Sequence, residues 1–288
     1  LLNWPKSELI KYAHNKNLKW VEDESNSVDA FERNYLRNHL IPVLAHQWPD
    51  YRQRLRAVAE LSHESHELAE ATAIETIATL QPKEERAGWS LSVALFTNLT
   101  PLKQKNILRY WPEIKGLDAP GAKIINEVLT ALIDARKDSS PKVSTGDGQY
   151  CRFRDRLYLL KVSKEFDASI NQQQDVIWNT DNPIRLSDGS HLTVEQTVGD
   201  GLRAELAPAL SVTTRKGGER CKPAGRGHSN SLKKLLQEFN VEPWWRDRAP
   251  LLFIDQQLVA VADFWICDGW QAQPGEKSIK IHWHTNSL

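Results

Sequence analysis

LSVTTRKGGERCKPAGRGHSNSLKKLLQEFNVEPWWRDRAPLLFIDQQLVAVADFWIC, residues 210–267, is the stretch on which the reading of this chain turns. Leu210 to Thr214 is apolar and rich in β-branched residues, which predicts a strand. A glycine-rich basic loop follows. Ser229 or Ser231 then stands where a hydroxyl caps a helix, running to about Phe239. Beyond Val241 to Pro250 come two apolar runs, Leu251 to Ile254 and Leu258 to Trp265. Asp255-Gln256-Gln257 would join them as a hairpin. Strand, helix and hairpin in succession predict a compact α+β unit over 206–288.

Working outward from that stretch, Ile184 to Val194 contains Ser187-Asp188-Gly189-Ser190, a strong hairpin signal. Ser163 to Asp175, with three consecutive glutamines, is the best linker candidate. Tyr150 to Leu160 alternates with period two, and Asp155-Arg156 marks the expected turn. Residues 43–137 read as mainly helical. Leu55, Val58, Leu61, Leu68, Ala71 and Ile74 follow helical spacing within a long helix from about Asp50 to Leu80. Thr100-Pro101 starts another helix, which Pro112 should end near Trp111. A third spans about Pro120 to Ala135, with Ile124, Ile125, Val128, Leu129 and Leu132 apolar. Near the start, Leu9, Ile10 and Ala13 share a helix face, and Leu18, Trp20 and Val21 suggest a short strand. A helix from about Asp29 to Leu40 should stop at Pro42. The expected fold class is therefore α+β and multidomain. Its parts are residues 1–47, a mainly helical middle domain at 48–165, a linker and hairpin at 166–205, and a small α+β domain at 206–288.

Composition narrows the function classes. The 288 residues are 40% hydrophobic and 26% charged, which is ordinary globular content. No apolar run approaches the roughly 18 residues of a membrane helix, and Leu1 to Lys6 do not read as a signal peptide. Cys151, Cys221 and Cys267 are odd in number and widely spaced, so no disulfide framework is expected and a reducing cytoplasm fits. The chain has no methionine, and Leu1 does not read as a natural start. With 37 basic and 37 acidic residues its net charge is zero, which argues against a general nucleic-acid coat protein.

The charge is nevertheless uneven. Between Arg215 and Leu236 stand seven basic residues (Arg215, Lys216, Arg220, Lys222, Arg226, Lys233, Lys234) against one acid, Glu219. Gly217, Gly218, Gly225 and Gly227 let backbone N–H groups approach phosphate oxygens. Arginine adds forked hydrogen bonds that suit phosphate. Such contacts position a nucleic acid without reading its sequence. Nearby Trp244, Trp245 and Arg246 offer stacking surfaces. The alternatives are a solvated surface loop, and tryptophans that belong to the core.

A second cluster lies near the start. Arg33 and Arg37 are four apart, on one helix face, where they can grip one anion together, with Asn34 on a neighbouring face. Asp23 and Asn26 belong to the acidic turn before it. The alternative is local ion pairing to Asp23 or Asp29. Other signals fail. His63 to Glu67 places Glu67 where a zinc helix needs its second histidine. His282 and His284 lack a third ligand. Cys221 is a single thiol in a basic loop, and neither a Walker loop nor a nucleophile elbow is present.

Two separate motifs resemble one family. WVEDESN followed by FERNYLRNHLIPVL (residues 20–44) resembles the segment after the nucleotide-binding domain of tRNA(Ile)-lysidine synthetases. RKGGERCKPAGRGHSNSLKKLLQEFNVEPWWRDRAPLLF looks like that family's C-terminal domain motif, and QLVAVADFWIC continues it. The resemblance covers nearly the whole chain. It implies ATP-dependent ligation of lysine to the wobble cytidine of tRNA(Ile) with a CAU anticodon, base adenylation coming first. The implied cofactors are ATP and Mg2+, and the partners tRNA(Ile) and lysine, with no membrane. A homodimer is left open. The family's Ser-Gly-Gly-x-Asp-Ser loop is absent, so 1–47 would be the tail of the catalytic domain with a linker helix. Asp23, Asn26, Arg33, Asn34 and Arg37 would edge the active site. No catalytic residue is assigned in this chain. The C-terminal motif would bind tRNA through Arg215, Lys216, Gly217, Gly218, Arg220, Arg226, Lys233, Lys234, Trp245 and Arg246. A non-catalytic RNA-binding module reusing the C-terminal domain is the alternative. A protein scaffold built on the long helix would leave the basic loop unexplained.

Overall fold

The computed structural model describes residues 4–21, 31–133, 141–162 and 175–285. The chain forms two compact units, Leu1–Leu68 and Ala69–Leu288. The linker candidate, apart from Asp175, lies outside the described residues, as does the acidic turn from Glu22 onward.

In the first unit, helix α1 spans Lys6–Asn15. Helix α2, Glu32–Tyr35, runs into a π-helical turn, Leu36–Leu40, and then α3, Ile41–Gln47. Pro42 does not stop the helix as expected. It falls in the first turn of α3, where a missing N–H costs little, and the wider turn before it changes the hydrogen-bond register. Leu18, Trp20 and Val21 form no strand and are exposed, because a strand needs a partner edge and no strand is described in this unit.

Helix α4, Tyr51–Thr79, is the long helix anticipated. Its apolar stripe faces outward: Leu55, Val58, Leu61 and Leu68 are 61%, 62%, 65% and 70% exposed. At its far end burial falls instead to Ala73 and Leu80, with Ile77 half-buried.

The second unit begins with strands β1 (Lys83–Glu85) and β2 (Gly88–Ser92). Helices α5 (Val93–Thr97), α6 (Pro101–Ile114) and α7 (Ala122–Glu127) follow, the last continuing as a π-helical turn over Val128–Ile133. Thr100 caps α6 by accepting from the Lys103 N–H. The helix passes Pro112 and ends at Ile114, where Lys115 N and Leu117 N both bond the Pro112 carbonyl. Strands β3 (Lys142–Ser144), β4 (Gly148–Phe153) and β5 (Arg156–Lys161) complete an antiparallel sheet in the order β1-β2-β5-β4-β3. The middle of the chain is thus mixed rather than mainly helical. β1 is Lys-Glu-Glu and β3 has three residues, too short and too polar to show a period. The β4–β5 turn is Arg154-Asp155, one residue earlier than expected, with Arg154 at φ +54°.

Alternation divides that sheet's faces. Tyr150, Leu157 and Leu159 pack under α5 to α7 with Phe96, Ile107, Leu108 and Trp111. The Tyr150 hydroxyl donates to the Leu108 carbonyl at 2.7 Å, which satisfies its one polar atom inside an apolar layer. Cys151, Tyr158 and Leu160 face a second core shared with the rest of the unit.

The rest of the unit comprises β6 (Val176–Trp178), β7 (Ile184–Arg185), β8 (His191–Val198), β9 (Leu202–Arg203), β10 (Leu210–Thr213), β11 (Arg220–Cys221), β12 (Asn230–Ser231), helix α8 (Leu232–Glu238), β13 (Leu251–Ile254), β14 (Gln257–Val261), β15 (Trp265–Ile266) and β16 (Lys277–His284). One sheet has the order β15-β14-β13-β10-β6, a second β7-β8-β16-β9, and β11 pairs β12. The β13–β14 hairpin is as expected, with Asp255 and Gln256 at φ +43° and +66°, the left-handed pair that matches strand twist. The run Leu258 to Trp265 is broken after Val261, where Ala262 takes φ +46°.

Candidate nucleic-acid interface

The loop from Thr214 to Asn230 leaves one sheet strand, β10, and returns through the β11–β12 pair into α8. The amphipathic spacing of α8 orients it: Leu232, Leu235 and Leu236 are buried, while Lys233 and Lys234 are exposed. Ser231 occupies the N-cap position, but its side chain makes no cap bond. The Leu232 N–H instead donates to the Glu219 carbonyl at 2.9 Å. The end of α8 is therefore engaged by the loop's own backbone.

Gly217 and Gly218 take φ +99° and +89°, with nothing within 4 Å of where a Cβ would lie. Glycine is required there by backbone conformation, not by close packing. Two of the loop's amides already have a partner. Lys216 N and Gly217 N both donate to Glu219 Oε1, at 2.5 and 2.7 Å.

The loop's cations are likewise met by acids from distant parts of the sequence. Arg215 donates to Asp247 at 2.9 Å, Lys216 to Asp175 at 2.9 Å and Lys222 to Asp268 at 2.7 Å. Arg226 pairs with Glu238, whose other oxygen is 3.8 Å from Lys234. The Arg226 guanidinium holds the Glu238 carboxyl below its ordinary range, and hydrogen bonds from Thr213 and Lys216 do the same for Asp175. Arg220 donates to the Ser229 carbonyl. Local counting found one acid in this segment. Folding adds Asp175, Asp247 and Asp268, which carry no local sequence signal. Exposed pairs of this kind are worth about 0–1 kcal/mol, so a phosphate can compete for such cations.

Trp245 does not stand at the surface. It is 2% exposed and packs edge-on against Trp283 with centroids 5.2 Å apart. It cannot stack on a base, and the core alternative describes it. Trp244 is half-buried against Tyr158, 4.8 Å between centroids. Arg246 turns inward: its Nε donates to the Val241 carbonyl at 2.9 Å and its guanidinium lies 5.7 Å from the Phe153 ring. Burial lowers its proton affinity from the ordinary arginine value.

The cysteines also depart from expectation. Cys221 and Cys267 form a disulfide across 46 residues, leaving Cys151 as the free, buried thiol. Backbone pairing brings them together: Pro223 bridges Cys267, and Ala224 N donates to the Ile266 carbonyl. Sequence spacing gave no hint of this non-local contact. In a reducing compartment the same sulfurs would face each other as thiols.

In the first unit, Arg33 and Arg37 are exposed and Asn34 is buried, as the helical offset implies. Asp23 and Asn26, and with them the ion-pair alternative through Asp23 or Asp29, lie outside the described residues. His63 pairs with Glu67 on an exposed face of α4. Among the described residues no group of three His, Cys, Asp or Glu side chains is placed to hold a metal, and no helix is long and apolar enough to cross a membrane.

Comparison with known proteins divides the chain in the same order. Residues 1–44 match the PP-loop domain family, residues 91–158 the TilS substrate binding domain, and residues 210–283 the TilS substrate C-terminal domain. The matches set a PP-loop domain match first and two TilS substrate-domain matches after it. A tRNA(Ile)-lysidine synthase from Coxiella burnetii is 32% identical over 96% of this chain and 60% of its own length. One from Methylococcus capsulatus is 30% identical over 98% and 64% respectively, and one from Alkalilimnicola ehrlichii 32% over 97% and 61%. The chain is thus similar to tRNA(Ile)-lysidine synthases over nearly its whole length. It spans about three-fifths of the length of these curated relatives. A crystal structure of a TilS C-terminal domain aligns with 41% of the chain at TM-score 0.33 and 18% identity.

Proposed function

We propose that this chain supplies the tRNA-holding part of an enzyme that ligates lysine to the wobble cytidine of tRNA(Ile) with a CAU anticodon. The observation that carries this reading is the ordered match to a PP-loop domain and two TilS substrate domains, together with a glycine-rich loop and helix that present Lys233 and Lys234 to solvent. The match of 1–44 to a PP-loop domain disfavours a free-standing RNA-binding module.

In this reading 1–47 is the end of the catalytic domain, with Arg33 and Arg37 at its exposed edge. The 206–288 segment holds tRNA backbone through Lys233, Lys234, Arg220, Arg215 and Lys216. ATP with Mg2+ would activate the base and lysine would be the second substrate, in the cytoplasm. The signature phosphate loop is not among these residues, and no metal-ligand group is present among those described. No step through ATP or Mg2+ is therefore assigned to this chain's side chains. A homodimer is compatible with the reading and is not required by it.

The test is the salt dependence of binding between the 288-residue chain and a tRNA(Ile) CAU transcript, with elongator tRNA(Met) as control. Steep salt dependence with preference for tRNA(Ile) is expected. Reversing both Lys233 and Lys234 to Glu should reduce the log–log slope by about one unit per lost contact. No binding at low salt would overturn the reading.

A further inference from the structure

Glu219 stands out because it consumes the donors that the loop would otherwise offer. Its Oε1 accepts from two successive backbone amides, Lys216 N and Gly217 N. Its side chain is only 13% exposed, and its Oε2 lies 3.8 Å from Arg215 Nε. Two converging amides and a guanidinium form an anion nest, and here the chain's own carboxylate fills it.

The fit is incomplete. Oε2 and Arg215 Nε are both buried, and neither has a hydrogen-bond partner. A carboxylate has two oxygens at a fixed short separation: one takes both amides and the other falls short of the guanidinium. A phosphodiester has two non-bridging oxygens set wider apart on a tetrahedral centre. It can meet the amide pair with one and the guanidinium with the other.

The nest does not depend on the Glu219 side chain for its shape. The Glu219 carbonyl accepts from Leu232 N at 2.9 Å. Arg220 and Cys221 pair with Ser231 and Asn230. Space is open beside Gly217 and Gly218, so the carboxylate has room to leave and an RNA strand room to approach.

We propose that the Lys216–Gly217 amides and Arg215 form a phosphate site that Glu219 occupies in the free protein, and that an RNA backbone phosphate displaces its carboxylate. This rests on the reading of the loop as a tRNA-holding surface. Glu219 then acts as a competitor. It fills the nest when no RNA is present, and it weakens binding of anions that cannot also engage Lys233 and Lys234.

The experiment measures tRNA(Ile) CAU binding to the 288-residue chain and to its Glu219→Gln and Glu219→Ala variants, with Lys233→Glu/Lys234→Glu in parallel. Removing the competing charge should tighten binding about threefold to tenfold. Equal or weaker binding by either variant that retains the parent's melting temperature overturns the proposal. On the unaltered chain, the Gly217 amide resonance of 15N-labelled protein should shift when the transcript is added, and an unmoved resonance overturns the proposal without any variant. If the lysine reversal weakens binding while neither Glu219 result appears, only this inference fails. If the lysine reversal also has no effect, the reading of the surface fails with it.

Discussion

Arg86, in the turn between β1 and β2, ties the middle sheet to the C-terminal strands. It donates to both oxygens of Asp263 at 2.8 Å and to the Trp283 carbonyl. Its guanidinium lies 4.6 Å from the Trp283 ring centroid and 5.6 Å from that of Phe264. Arg86→Ala removes all of these at once. A fully exposed ion pair would contribute about 0–1 kcal/mol. Here both side chains are 24% exposed, the pairing is forked, and the Asp263 carboxylate would be left half-desolvated. Charge-assisted hydrogen bonds are worth about 1.5–3 kcal/mol each and cation–π contacts about 0.5–2 kcal/mol. Discounted for the remaining solvent exposure, the loss should be about 3 kcal/mol. For a unit of this size that is roughly 9 °C in Tm. The assay is urea unfolding followed by tryptophan fluorescence, repeated for Asp263→Ala and the double variant. A coupling of about 1–2 kcal/mol between the two sites is expected. If Arg86→Ala unfolds within about 0.5 kcal/mol of the parent, or if the two substitutions simply add, the tether is no more than a surface ion pair.

Glu242 is held above its ordinary value of 4.5, first by burial and then by the nearby Glu85 carboxylate. Its folded-state proton affinity is raised, so its contribution is fully present below pH 4.5 and lost as pH rises through the folded value. Glu242→Gln should therefore raise Tm at pH 7 and leave it nearly unchanged at pH 4; equal effects at both pH values would refute the assignment. Burial pushes the Cys151 thiol from 9.0 up to about 12, so it should resist iodoacetamide at pH 8 until the chain unfolds. With the Cys221–Cys267 disulfide intact, the unfolded chain should titrate one thiol, and three after reduction. Leu61→Glu on α4 should change the stability of this chain by less than about 0.5 kcal/mol, because Leu61 is 65% exposed. A large loss in urea unfolding would show that the stripe is covered.

What the sequence determined alone was local. The long helix α4, the Thr100-capped α6, the Ser187–Ser190 turn and the Asp255-Gln256 hairpin were all legible, because period and turn chemistry act within a few residues of the chain. The two motifs also carried the resemblance to the tRNA(Ile)-lysidine synthases that the chain matches, and the exposed Lys233–Lys234 face follows from helical spacing. Tertiary structure decided the rest. Periodicity showed that α4 has an apolar stripe but not what covers it, and here Leu55, Val58, Leu61 and Leu68 face solvent. β1 and β3 are too short to carry a period and exist because β2 and β4 offer them edges. Trp245 went to the core, where Trp283, 38 positions along the chain, receives it. Asp175, Asp247, Asp268 and Cys267 came to the basic loop from tens of residues away. Ion pairing and sulfur contact act over only a few ångströms, and which residues reach that distance is fixed by packing rather than by order along the chain.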